Sequence, residues 1–216
     1  MSPAATPLAG KTVCLDPGHP SENGVGARGK RISEVRAAWL VALQTRDLLV
    51  ADGAAVVLTK KTERELVTNR RRARIANEAR ADLMVRLHCD AASASGTSTY
   101  YPDRAGRSGG VRGPSRSVIE RSAVLARRFH AAMMDRLQGA LADRGVLPDT
   151  RTYIGGRQGA LTGSIFSRVP VLLVEMAVLT DPRDDAFLAS PSGRRRMALA
   201  LRDGVRAALL EAGGSV

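Results

Sequence analysis

Aromatic residues are scarce in this 216-residue chain: one Trp, three Tyr and three Phe. No basic stretch studded with aromatics is present, so the stacking platform that single-stranded nucleic acid uses is missing. Cysteine is limited to Cys14 and Cys89, too few for a disulfide framework. The two pair only if their strands are neighbours in an oxidising compartment; two buried free thiols is the simpler reading. Long hydrophobic runs are absent as well. The longest, residues 169–179, is broken by Pro170 and Glu175 and is too short to span a bilayer, so no transmembrane segment is expected. Residues 1–10 lack the basic start and apolar centre of a signal peptide. Either the protein is cytosolic, or a signal has been removed and this is the mature part. Lysine occurs only as Lys11, Lys30, Lys60 and Lys61, so the net charge of +12 is carried by arginine. Such a surface favours polyanions, nucleic acid or an anionic cell wall. The arginines are spread over several helices, which argues against a nucleic-acid partner, and a biased codon usage accounts for them equally well.

What is present is an alternation of apolar runs and helical patterns. Strands are expected at residues 12–16, 54–59, 83–88, 97–101 and 171–179, and helices at about 34–51, 67–79, 115–142 and 192–211. Residues 102–114 and 147–163 are rich in turn formers and read as loops. This order predicts a single α/β domain with a mainly parallel twisted sheet and helices on both faces. Residues 1–10 read as an N-terminal tail and 11–216 as one domain.

Two of the three histidines end apolar runs: His19 after Val13-Cys14-Leu15-Asp16-Pro17-Gly18, and His88 after Leu83-Met84-Val85-Arg86-Leu87. Ligands and metals collect at the carboxyl ends of parallel strands, and imidazole is the commonest metal ligand. Glu175 lies inside a run that should be buried, where a carboxylate is costly unless paired, metal-bound or catalytic. A salt bridge to an arginine is the structural alternative. Glu34, at the start of the first long helix, suits the helix dipole on its own. Together the four residues match a three-ligand catalytic zinc with a separate general base.

The same residues carry a family resemblance. Leu15-Asp16-Pro17-Gly18-His19, Glu34, Ile75-Ala76-Asn77 with Ala81-Asp82 and Leu87-His88, and the block from Val169 to Glu175 with Leu179 and Pro182 resemble, in order, the motifs of zinc-dependent N-acetylmuramoyl-L-alanine amidases of the amidase-3 type. The resemblance spans about residues 11–210. It implies that His19, Glu34 and His88 hold Zn2+ and that Glu175 is the catalytic base. It further implies that the substrate is peptidoglycan, cut between N-acetylmuramic acid and L-alanine, in the periplasm or outside the cell, with a monomer expected. A non-catalytic wall-binding module on the same fold is the alternative, against which the presence of all four residues argues.

Departures from the family pattern are Cys89 and Asp90 after the second histidine, Ala177 and Val178 after the glutamate, and Arg86. Asp16 is placed to orient His19 or to stabilise the turn. Glu22 competes with Glu34 as third ligand, His130 reads as a surface or core-edge histidine, and Arg70-Arg71-Arg72 reads as a solvated helix face. Residues 102–114 are too few for a helical plug over the metal, so an open site is expected.

Overall fold

Side-chain alternation along the central strands decides which face of the sheet carries chemistry. The computed structural model describes residues 6–210. Its strands are β1 (Thr12–Pro17), β2 (Ala55–Leu58), β3 (Leu83–Asp90), β4 (Thr97–Tyr101), β5 (Gly106–Ser108), β6 (Val111–Gly113), β7 (Asp143–Pro148) and β8 (Val171–Val178). The helices are α1 (Glu34–Ala51), α2 (Asn69–Glu78), α3 (Arg116–Leu137), α4 (Tyr153–Gln158), α5 (Thr162–Ile165), α6 (Pro182–Ala189) and α7 (Pro191–Leu209). The main sheet has the order β2-β1-β3-β8-β4-β7. β2, β1, β3 and β8 are parallel, whereas β4 pairs antiparallel with β8 and parallel with β7. The fold is therefore the expected single α/β domain with a mainly parallel sheet. No described helix is long and apolar enough to cross a membrane.

Val13, Leu15, Leu83, Val85, Leu87, Leu172 and Val174 share one core with α1, α3 and α7. Intervening residues Cys14, Met84 and Val171 face the other way and pack with Ala76 of α2. Asp16, Arg86, His88 and Glu175 follow the same alternation onto that second face. Apolar residues at their foot and charged ones toward their ends give these strands a polar upper surface. Leu8, within the stretch read as a tail, is fully buried in the main core.

Several boundaries differ from the sequence expectation. Residues 102–114 hold the β5–β6 hairpin, packed closely enough that a side chain on Gly106 or Gly113 would strike the backbone of Gln158 or Ile165. The helix expected over 115–142 stops at Leu137, where Gln138 takes a left-handed φ of 34°. The polar, Gly- and Pro-containing β7 follows, a composition that edge strands tolerate. Residues 147–163 include α4 rather than plain loop, and the helix expected over 67–79 starts at Asn69, capped by the Thr68 side chain. The last helix, expected to reach Glu211, is described to Leu209; Glu211 lies outside the described residues.

Candidate active site

β1 ends at Pro17, and the chain turns there so that Gly18 lies against the His88 ring. A Cβ on Gly18 would come within 2.7 Å of His88 Cε1. His19 follows in a left-handed conformation, φ 47°. Such backbone strain in a non-glycine residue is commonest at sites of function. The loop then passes Gly26, φ +75°, where a Cβ would fall 2.3 Å from Glu34 Oε2. Glu34 opens α1, one residue after the Ser33 N-cap.

Three side chains from β1's end, α1's start and β3 converge. Glu34 Oε1 lies 3.0 Å from His88 Nδ1 and 3.5 Å from His19 Nε2. One donor atom each from His19, Glu34 and His88 falls within 4.8 Å of the others. The Glu34 carboxylate cannot swing freely, since Oε1 also accepts from Cys89 N at 3.1 Å and Oε2 from Ala27 N at 2.6 Å. His19 Nδ1 lies 3.0 Å from the Gly24 carbonyl, to which it donates, leaving the Nε2 lone pair for a metal.

Glu175 stands directly opposite His88 across the β3–β8 ladder. Just beyond, the register shifts, so that His88 to Asp90 faces Glu175 to Val178. Bulges of this kind gather beside active sites, where they re-aim side chains. Glu175 Oε2 and His88 Nε2 are buried without a hydrogen-bond partner. Burial, then the nearby Glu34 and Asp90 carboxylates, push the Glu175 carboxyl well above its ordinary range. Burial pulls His88 down, against its bond to Glu34, and so favours the neutral ring that can ligate. Burial works to raise Glu34, but its bond to His88 and the two imidazoles prevail and hold it low. Two imidazoles and a fixed carboxylate form a donor set suited to a divalent cation, and a second carboxylate with an orphaned oxygen stands beside it.

Other expectations are redirected, and some are borne out. Asp16 does not orient His19; its carboxylate accepts from Thr59 and from Arg72 at 2.6 Å through Oδ1, and from Arg86 at 2.8 Å through Oδ2. Arg72, expected on a solvated face, is fully buried and also donates to the Pro17 and Pro20 carbonyls, bracing the turn that carries His19. Glu22 is drawn away to accept from Asn69 N at the start of α2. His130 is buried, bridging Thr99 and Asp143 and so tying α3 to the sheet's edge. Cys14 and Cys89 are free and buried. The segment 102–114 contains no helix, and the His19 and His88 side chains remain 15% and 13% exposed.

Sequence reasoning missed Arg144, which reaches from β7 to Asp90 at 2.9 Å and offsets part of the acidic field on Glu175. Arg144 falls between the helix expected to end at 142 and the loop expected from 147, and nothing in the sequence links it to Asp90.

Comparison with known proteins bears on the family and the fold. The sequence profile of the N-acetylmuramoyl-L-alanine amidase family matches residues 13–207. The chain is 30% identical over 204 residues to the uncharacterized protein YqiI of Bacillus subtilis, covering 94% of this chain and 86% of that protein. It is 28% identical to the N-acetylmuramoyl-L-alanine amidase Rv3717 of Mycobacterium tuberculosis, over 94% of this chain and 89% of that one. The crystal structure of the amidase Ami1 from Mycobacterium smegmatis shares the fold, with a TM-score of 0.73 at 22% identity over 92% of this chain and 96% of that one. With profile, relatives and fold in agreement over nearly its whole length, the chain belongs to the N-acetylmuramoyl-L-alanine amidase family.

Proposed function

We propose that this enzyme cleaves the amide between N-acetylmuramic acid and the L-alanine of the stem peptide, with zinc held by His19, Glu34 and His88 and with Glu175 as general base. The observation that carries this reading is the convergence of three ligand-type atoms beside a carboxylate whose Oε2 has no protein partner. His19, Glu34 and His88 would hold the zinc, which when bound would supply Lewis acidity toward a water and the scissile carbonyl.

The chain's own residues do the rest. The Gly24 carbonyl fixes the His19 tautomer, and the amides of Ala27 and Cys89 hold Glu34 in place, so the donor atoms need little rearrangement. Glu175 takes a proton from the attacking water and delivers it to the alanine nitrogen as the carbon–nitrogen bond breaks. A carboxyl whose proton affinity is raised suits a group that must hold that proton between the two steps. Peptidoglycan as substrate places the work in the cell envelope, periplasmic or secreted. All four residues come from one chain, so a monomer suffices.

Mass spectrometry of a digested, soluble muropeptide tests the assigned bond. The products expected are a muramic acid with a free lactyl carboxylate and a peptide with a free alanine amine. Cleavage at a sugar linkage or within the peptide contradicts the proposal.

A further inference from the structure

A basic track lies away from the four site residues. α2, β6, the start of α3 and the turn before β8 enclose a cleft of about 760 Å3, lined by Arg70 and Arg74 of α2, Arg112 of β6 and Arg168 of the turn. A second cleft of about 350 Å3 shares Asn77 and Arg168 with the first and adds Arg80 and Arg121. The carboxylates of the two clefts are already engaged: Glu78 in the first lies 3.4 Å from Arg74, and Asp82 in the second accepts from Thr12 N. Among the described residues, Arg70, Arg80, Arg112, Arg121 and Arg168 form no ion pair.

The track is held in shape rather than left loose. Asn77 donates to the Phe166 carbonyl at 2.9 Å and accepts from Arg168 N at 2.7 Å, which pins the turn beneath Arg168. The Arg70 guanidinium lies 5.3 Å from the Phe166 ring centre, a cation–π distance. Arg80 takes a left-handed φ of 49° just past the end of α2, a position that favours glycine. Like charges gathered this way repel one another, and an anion lying among them relieves the repulsion.

We propose that this track binds a phosphodiester-linked polyol polymer, a linear polyanion of the cell wall. Guanidinium groups pair with phosphate oxygens in a bidentate fork. Two adjoining clefts that share Asn77 and Arg168 suit a chain of repeating charges better than a single small ion. Nucleic acid fits less well, because the one aromatic lining the track, Phe166, is occupied by Arg70 and no stacking platform remains. The choice of partner rests on the proposed function, since it follows from work at the wall.

Fluorescence anisotropy with a labelled synthetic poly(glycerol phosphate) oligomer tests the proposal at about 0.1 M salt. The wild type is compared with the triple variant Arg70→Gln/Arg112→Gln/Arg168→Gln. A second triple variant, Arg127→Gln/Arg128→Gln/Arg195→Gln, removes the same charge from exposed positions on α3 and α7. The track variant is expected to bind about ten-fold or more weakly, with a log–log salt slope shallower by about 2. The control variant should bind like the wild type, and both should cleave a soluble muropeptide at the wild-type rate. Equal weakening in both variants, no binding by the wild type, or tighter binding of a single-stranded DNA of equal charge overturns the proposal. Failure of all three proteins to cleave the muropeptide contradicts the proposed function instead, and leaves the binding comparison readable.

Discussion

Two carboxyls, the half-buried Glu175 and the buried Asp149, are both raised by desolvation, yet they answer differently to amide replacement. Asp149 accepts from Leu161 N through Oδ2 while its Oδ1 has no partner. Burial, with Asp103 adding to it and Ser164, the Leu161 amide and Arg86 opposing, pushes its pKa from 3.8 up to about 6. A folded-state pKa above the unfolded value means that the folded protein binds the proton more tightly. The stability tied to that proton is complete below the unfolded pKa and is lost as pH rises from about 4 to about 6. Asp149→Asn keeps an acceptor and cannot ionise. Its stability should therefore gain on the wild type across that window, by up to about 3 kcal/mol, and stay level above it. Urea denaturation of both proteins at several pH values checks this; a difference independent of pH contradicts it. Nothing in the sequence marks Asp149, which follows a Pro in a segment that reads as loop. By contrast His19, His88 and Glu175 are legible, because scarce or polar residue types interrupt or end apolar runs.

At the scale of elements, a buried network ties β1, β3 and α2 together beneath the site. Asp16 serves both Arg72 and Arg86, and Arg86 also donates to Asn69. Asp16→Ala leaves two buried guanidinium groups without their carboxylate, which should lower stability by about 3–5 kcal/mol in the same denaturation assay. A change within about 0.5 kcal/mol contradicts the network's role. The loop between β1 and α1 makes a separate prediction. Gly26→Ala forces a Cβ toward Glu34 and His19 in a left-handed backbone position, and should weaken zinc binding by about ten-fold or more in calorimetric titration. Strand and helix alternation is readable in the sequence because burial imposes period 2 or 3.6 on the apolar residues. The network is not, since Arg72 meets Asp16 56 positions away and looks like a surface arginine on its own helix. β7 and the β5–β6 hairpin escape for a related reason: their pairing is set by partners distant in sequence, and their residues are polar or turn-forming.

For the whole molecule, the main core of α1, α3, α7 and the sheet contains none of the four site side chains. The fold should therefore survive removal of the proposed zinc. Chelation is expected to leave the far-ultraviolet circular dichroism unchanged, with a melting temperature that climbs again as zinc is added back in proportion to occupancy. Loss of helical signal on chelation contradicts that separation of core and site.

The division of labour between ligands and base is tested most directly by measuring zinc content and muropeptide hydrolysis together in Glu175→Gln and His88→Ala. About one zinc per chain is expected in the wild type and in Glu175→Gln. Hydrolysis by Glu175→Gln should fall about 10²- to 10⁴-fold. His88→Ala should lose both metal and activity. Full activity in Glu175→Gln, or an undiminished zinc content in His88→Ala, contradicts it.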